Sequence, residues 1–277
     1  MFRTGLLGRA IMASRSPWLH EQEARAQGLE LTYELFDFTE RGLADDALGP
    51  LLRRLADDGF SGVNVTFPFK QAVLPLLDEL AECATSVGAV NTVAMRGGRL
   101  IGYNTDKTGF QESLAEGLPG AKLSRVLQLG AGGAGAAVAN ALLSHGVGVL
   151  EITDVDMTRA EVLARRLAAH YGAGRVVTCA GDALKTSAVD GIVNTTPMGM
   201  AAHPGTAIDP VLIEPRHWVA DIVYFPIETE MLRIAHERGC RVLNGSGMVV
   251  CQAARAFEIF TGNRADSARM RESFIGE

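Results

Sequence analysis

One stretch limits the fold of this chain more than any other. Val126-Leu127-Gln128-Leu129 is an apolar run of strand length, Gly130-Ala131-Gly132-Gly133-Ala134-Gly135 follows as GxGxxG, and Ala136-Ala137-Val138-Ala139 opens a helix-forming series. Strand, glycine turn and helix in immediate succession are the parts of a βα unit that receives a dinucleotide. Gly130 permits the tight turn, Gly132 lets the backbone approach a pyrophosphate, and Gly135 lets helix and strand pack closely. Ala131, Gly133 and Ala134 complete a loop whose amides, with the helix dipole, favour phosphate. Glycines that merely mark a turn would not explain the complete setting.

The next strand, 149–153, ends at Asp154, about 20 residues past the turn, where an acidic group binds the adenosine ribose hydroxyls of NAD. Asp154-Val155-Asp156 holds no arginine. A 2′-phosphate is usually met by a guanidinium, and a hydrogen bond to a charged group contributes about 1.5–3 kcal/mol. Two carboxylates repel that phosphate instead, so NAD is the expected cofactor and NADP the possible second. Arg159 is the guanidinium that could still reach it, and Asp156 also suits the cap of a helix beginning near Thr158.

Around this unit, strand-length apolar runs alternate with helix-length segments, the pattern of βα units and largely parallel sheets. A chain of 277 residues, 47% hydrophobic, can bury two modest cores. The expected class is α/β in two domains: a substrate domain over residues 1–106, completed by a C-terminal helix over 248–277, and a Rossmann doubly wound dinucleotide domain over 107–247. Residues 5–8 read as a strand, with a loop to Ser16 as cap and a helix from Pro17. Strands are expected at 31–38 and 62–66, a helix over 45–58, and a hairpin of 89–95 with 100–103 turning at Gly97-Gly98. The last helical stretch is expected over 248–260.

The net charge of −6 offers no basic stripe for a polyanion, so nucleic acid is not an expected partner. The run 131–143 is too short to span a bilayer and no N-terminal apolar core of signal length is present, so no membrane partner and a cytoplasmic setting are expected. Cys83, Cys179, Cys240 and Cys251 are scattered without metal-ligand spacing, and no metal is expected.

Hydride transfer from a secondary alcohol needs a group to take the hydroxyl proton and polar residues to hold the alcohol. Pro68 stops the third strand just before Lys70, placing that lysine at a strand's carboxyl end, and Asp106 follows the hairpin at a helix start. A lysine's reference pKa of about 10.4 leaves it protonated at neutral pH, so one acting as base needs desolvation or a neighbouring positive charge. Read singly, Lys70 is a solvated charge, Ser16 a cap, Asn91 a turn residue and Thr66 a strand residue.

Together, several motifs alter that reading. Ser14-Arg15-Ser16-Pro17, Asn64-Val65-Thr66-Phe67-Pro68-Phe69-Lys70, Gly88-Ala89-Val90-Asn91-Thr92, Gly102-Tyr103-Asn104-Thr105-Asp106 and Gln252-Ala253-Ala254 occur in that order along the whole chain. In this it resembles the shikimate/quinate dehydrogenases. The resemblance implies Lys70 as acid/base with Asp106 as its catalytic partner, Ser14 and Ser16 on the substrate carboxylate, and Thr66, Asn91, Asp106 and Gln252 on ring hydroxyls. It also implies Tyr224 beside the substrate, and Thr195, Pro197, Met198, Gly247 and Met248 bordering the nicotinamide. NADP-dependent shikimate dehydrogenases typically carry Asn-Arg-Thr where this chain has Asp154-Val155-Asp156, a departure toward the NAD-using branch and a catabolic or dual-substrate role. The implied substrate is a small ring carboxylic acid, shikimate or quinate, handled in a cleft between the domains of a monomer or homodimer. Aminoshikimate as substrate, a catalytically idle NAD(H) sensor and a folate-linked dehydrogenase are the rivals.

Overall fold

Alternating apolar strands and one-sided helices build two sheets, each with its own core. The computed structural model describes residues 1–181 and 184–275. It divides into Met1–Asp106 with Val250–Glu277 as one unit and Lys107–Val249 as the other. Among the described residues no helix is long and apolar enough to cross a membrane.

In the first unit β1 (Phe2–Gly8) lies parallel to β2 (Leu31–Asp37) and to β3 (Gly62–Val65). Then β5 (Thr92–Arg96) runs antiparallel to β3, and β6 (Arg99–Tyr103) antiparallel to β5. Gly97 and Gly98 turn the hairpin at φ +56° and +76°, where only glycine is unstrained. A two-residue edge strand, β4 (Glu79–Leu80), pairs parallel with β6, so the order is β2-β1-β3-β5-β6-β4 and the sheet is mixed. The core gathers Leu7, Phe38, Val63, Val65, Phe69, Val93 and Leu100 from the sheet side with Leu48, Leu52 and Leu55 of α2 (Leu48–Asp57), a helical i, i+4, i+7 stripe. Residues 45–47, expected within that helix, form a 3-10 turn ahead of it.

Three expectations need correction here. The first strand starts at Phe2 rather than Gly5. Helix α1 (Ser16–Ala26) starts at Ser16, with Arg15 as the flanking residue and no side-chain cap. Ser16 is therefore not the cap; its N–H donates to Ser14 Oγ at 3.3 Å, and Ser14 Oγ donates to Ser16 Oγ at 3.1 Å. The C-terminal stretch is two helices rather than one, α9 (Ser246–Thr261) and α10 (Ser267–Ile275). Gly262, at φ +72°, ends α9 in the left-handed conformation that favours glycine after a helix.

His20 of α1 is 1% exposed and stacks on Tyr33 with ring centroids 4.8 Å apart, while its Nδ1 is buried without a partner. Burial lowers its pKa to about 3. A histidine that stays neutral when folded but charges when unfolded contributes stability that declines as pH falls below its unfolded value, down to its folded one. The stability gap between wild type and His20→Phe should therefore shift toward the variant by about 1.4 kcal/mol per pH unit below about 6.5. Chemical denaturation of both proteins at pH 7.5 and pH 5.5 reads the difference; a gap independent of pH contradicts it.

In the second unit all six strands are parallel: β7 (Arg125–Leu129), β8 (Val149–Thr153), β9 (Val176–Thr178), β10 (Gly191–Asn194), β11 (Trp218–Asp221) and β12 (Arg241–Leu243). Their order is β12-β11-β10-β7-β8-β9, two halves wound outward from β7 and β10. Ligands of such sheets bind at the carboxyl ends of the strands where the winding reverses. Here those ends are Leu129-Gly130 and Asn194-Thr195. Helix α6 (Gly133–Ser144) starts ahead of the expected Ala136 and is buried from Gly135 to Leu143.

Candidate active site

In the first unit β3 ends at Val65, Pro68 ends further pairing, and Lys70 falls on the short α3 (Phe69–Ala72). The Val90 N–H donates to the Lys70 carbonyl at 2.8 Å, tying that helix to the segment before β5. Asp106 sits in the first turn of α5 (Thr105–Gly117), where the helix dipole favours an anion. Lys70 Nζ donates to Asp106 Oδ2 at 2.7 Å; the aspartate side chain is 5% exposed and the lysine's 23%. A cation and a carboxylate 36 positions apart in the sequence thus meet, one nearly buried and the other reachable from solvent.

Asn91 is 3% exposed, and its Oδ1 accepts from the Thr105 N–H at 2.8 Å and from Thr92 Oγ1 at 3.1 Å. Its Nδ2 donates to Thr105 Oγ1 at 3.0 Å and to Gln252 Oε1 of α9 at 3.1 Å. Asn91 thereby fixes the start of α5, one residue before Asp106, and ties Gln252 to the same cluster. Thr66 is half-buried, its N–H donating to the Leu7 carbonyl at 2.9 Å, which sets it at the end of β3. Ser14 lies on the loop after β1, and Ser16 is the first residue of α1.

Two residues not singled out from the sequence organise this unit. Asp37, at the end of β2, accepts from the N–H groups of Ala10 (3.1 Å), Ile11 (2.7 Å) and Thr39 (2.9 Å), and so holds the loop leading to Ser14. Ala10 has φ +52°, a conformation a non-glycine adopts at a cost. Asn64 accepts from the Tyr33 hydroxyl at 2.8 Å and donates to the Asn91 carbonyl at 3.2 Å. In the sequence Asp37 falls inside the expected strand 31–38, and nothing there marks the amides it binds.

In the second unit Gly130 has φ +99°, and a Cβ on Gly135 would lie 2.6 Å from the Gly130 carbonyl oxygen. Both positions therefore require glycine. A Cβ on Gly132 or Gly133 would meet nothing within 4 Å, and Gly132 is extended ahead of the first turn of α6. The loop Ala131-Gly132-Gly133-Ala134 is thus an open cradle above a helix N-terminus, which suits a pyrophosphate. Gln128 is a brace that the sequence did not reveal: fully buried, its Nε2 donates to the carbonyls of Gly130 and Gly135, both at 2.9 Å.

Asp154 accepts from the Ala131 N–H at 2.7 Å through Oδ2 and from the Asp156 N–H at 2.9 Å through Oδ1. It stands at the end of β8 against the glycine loop. Asp156 caps α7 (Met157–Tyr171) by accepting from the Thr158 N–H at 3.1 Å. Arg159 lies 3.4 Å from Asp156 Oδ2 with its side chain 66% exposed. An exposed pair of this kind contributes little and leaves the guanidinium mobile.

Thr195 Oγ1 bonds the carbonyls of Leu129 (2.8 Å) and Gly130 (2.9 Å), a structural task at the point where the winding reverses. Pro197 and Met198 follow in a loop anchored by Asn194, whose Nδ2 donates to the Met198 carbonyl at 3.0 Å and to Asp221 Oδ1 at 2.9 Å. Burial raises the Asp221 carboxyl to about 6, despite hydrogen bonds from Thr229, the Val223 N–H and Asn194 that lower it. Tyr224, three residues on, is 44% exposed. Gly247 and Met248 lie in the first turn of α9; a Cβ on Gly247 would sit 2.3 Å from Ser113 Oγ and 3.2 Å from Ser113 Cβ, so α9 packs closely on α5 there, and Met248 is buried.

Comparison with known proteins places this geometry among relatives. The sequence profile of the shikimate dehydrogenase substrate binding domain matches residues 6–93, and that of the shikimate 5′-dehydrogenase C-terminal domain matches residues 245–273. The chain is 50% identical to a shikimate dehydrogenase (NADP(+)) of Pseudarthrobacter chlorophenolicus over 99% of its own length and 94% of the relative's. It is 48% identical to a quinate/shikimate dehydrogenase (NAD(+)) of Corynebacterium efficiens, covering 98% and 96%. Among solved structures, quinate dehydrogenase from Corynebacterium glutamicum in complex with NAD superposes with a TM-score of 0.95 at 46% identity, covering 100% of this chain and 99% of the other.

Proposed function

This chain belongs to the shikimate dehydrogenase family, and on that premise we propose that it is an NAD-preferring oxidoreductase interconverting shikimate and 3-dehydroshikimate, quinate and 3-dehydroquinate, or both. Lys70 Nζ, held 2.7 Å from a nearly buried Asp106, is the observation that carries it. A mere binding module has no use for an acid/base pair.

The work divides between the units. Residues 1–106 with the C-terminal helices handle the acid: Ser14 and Ser16 donate to its carboxylate, and Thr66, Asn91 and Gln252 supply the mixed donors and acceptors that a polyol needs. Lys70 takes the proton from the reacting hydroxyl as the neutral amine in oxidation and gives it back as the ammonium in reduction, while Asp106 orients the lysine and accepts from the substrate. Residues 107–247 handle the dinucleotide: the cradle 131–134 and the start of α6 receive the pyrophosphate, and Asp154 receives the adenosine ribose. Thr195, Pro197, Met198, Gly247 and Met248 border the nicotinamide. When bound, NAD supplies the hydride acceptor.

Relatives of nearly equal identity bear NADP and NAD in their names, so overall similarity does not decide the cofactor. Asp154 and Asp156 do favour one: a 2′-phosphate brought against two carboxylates is repelled, and the exposed Arg159, only weakly paired with Asp156, is left to offset that repulsion. NADP then remains a weaker second cofactor.

Isotope transfer tests the reaction class. With a ring acid deuterated at the oxidised carbon, the reduced nicotinamide formed should carry the deuterium, read by mass spectrometry. Unlabelled NADH would rule out direct transfer.

A further inference from the structure

A buried carboxylate that touches neither a candidate phosphate nor a candidate substrate group sits at the root of the loop assigned to the nicotinamide. We propose that Asp221 is a positioning residue for the nicotinamide half of the cofactor, acting through Asn194 on residues 196–199. The inference rests on reading residues 195–198 as the nicotinamide border.

The hydrogen bonds converge on one atom after another. Thr196 donates to Asn194 Oδ1 through both its N–H (2.9 Å) and its hydroxyl (2.7 Å). The Met198 N–H donates to Thr196 Oγ1 at 3.2 Å, and the Met198 carbonyl accepts from Asn194 Nδ2 at 3.0 Å. The loop's shape therefore depends on which way the Asn194 amide points. An amide has no preference of its own between its two orientations; a neighbour must impose one. Asp221 Oδ1 does so by accepting from Asn194 Nδ2 at 2.9 Å, since a carboxylate can only accept.

The same carboxylate is itself fixed from the other side. Oδ1 accepts from the Val223 N–H at 3.0 Å, one residue before Tyr224, and Oδ2 accepts from Thr229 Oγ1 at 2.7 Å. Thr229 caps α8 (Glu230–Glu237), and a Cβ on Gly199 would lie 3.1 Å from the Thr229 Cβ, so the end of the loop rests on the same residue. Asp221 and Asn194 are 1% and 0% exposed, and at those burials each hydrogen bond counts fully. One carboxylate thus sets the loop 196–199 and the approach to Tyr224 together, while the glycine cradle has braces of its own in Gln128 and Asp154 and meets this segment through Thr195, whose hydroxyl bonds the Gly130 carbonyl.

That separation yields a selective test by binding rather than turnover. Wild type, Asp221→Ala and Asp221→Asn are titrated with NADH and with ADP-ribose, which keeps the adenosine, the pyrophosphate and the second ribose but lacks the nicotinamide. Asp221→Ala should weaken NADH about tenfold and ADP-ribose less than about twofold. Asp221→Asn keeps one acceptor oxygen and lets the Thr229 hydroxyl turn round, so it should recover most of the loss, leaving about threefold or less. If Asp221→Ala does not fold, the selective loss in Asp221→Asn decides alone. Equal weakening of both ligands, or of neither, overturns the assignment of Asp221. A wild type that binds ADP-ribose as tightly as NADH overturns the nicotinamide border itself.

Discussion

Lys70→Ala lowers kcat for oxidation of the ring acid by about 10²–10⁴-fold, the contribution usual for a positioned acid or base. NAD affinity should stay within about twofold, because the cradle, Asp154 and the loop 195–199 belong to the other unit. The chemistry lost is specific: the proton of the reacting hydroxyl then has to leave to water. Loss of the ammonium also leaves Asp106, 5% exposed, without its cation, so the melting temperature must be followed alongside. Steady-state kinetics with NAD and the acid varied separately, plus NADH titration, distinguish the outcomes. Near-normal turnover would remove Lys70 from the mechanism, and a parallel loss of NADH binding would show a folding defect instead.

The second large effect is on stability and comes from the end of the chain. Glu23 of α1 has a side chain with no exposure, and it accepts from Arg269 of α10 twice, Nε at 2.8 Å and NH2 at 2.7 Å. The Asp266 N–H at 2.9 Å and Gln27 Nε2 at 2.6 Å complete its coordination. Burial alone would raise this carboxyl, but those hydrogen bonds outweigh it and hold it below the usual value. The partners differ in burial, so the two deletions differ in cost. Arg269→Ala strands a buried charge, which costs about 3–5 kcal/mol, whereas Glu23→Gln leaves a half-exposed guanidinium to water and costs less. A group whose folded pKa is lowered contributes stability above its unfolded pKa and loses it as pH falls through the folded one. The penalty of Arg269→Ala should accordingly shrink in acid, where Glu23 can be protonated. Denaturant titrations at pH 7 and pH 4 read both; a cost under about 1 kcal/mol at pH 7 would mean α10 is not held this way.

What could be read in advance follows from how local each signal is. Gly130 and Gly135 act on atoms within a few residues, and the GxGxxG spacing carries their steric demand in the sequence itself. Asp156 caps a helix that starts at the next residue, again a local event. Lys70 and Asp106 stand out through the order of several motifs along the chain, since a lone lysine after a strand reads as a solvated charge. Glu23 and Arg269 are 246 positions apart, and no periodicity links them, so the break at Gly262 and the return of α10 onto α1 went unseen. Gln128 sits inside an apolar run and reads as a strand residue until the two carbonyls it serves are known. The two-residue β4 is too short to leave an alternation at all.

The central claim, an NAD-preferring dehydrogenase of a ring acid, is tested most directly by initial rates of NAD and NADP reduction with shikimate and with quinate, in all four pairings on the purified protein. Turnover of at least one acid is predicted, with kcat/KM for NAD exceeding that for NADP by about tenfold or more, as expected from the missing guanidinium contact and the paired carboxylates. No turnover in any pairing, or a preference for NADP, would contradict it.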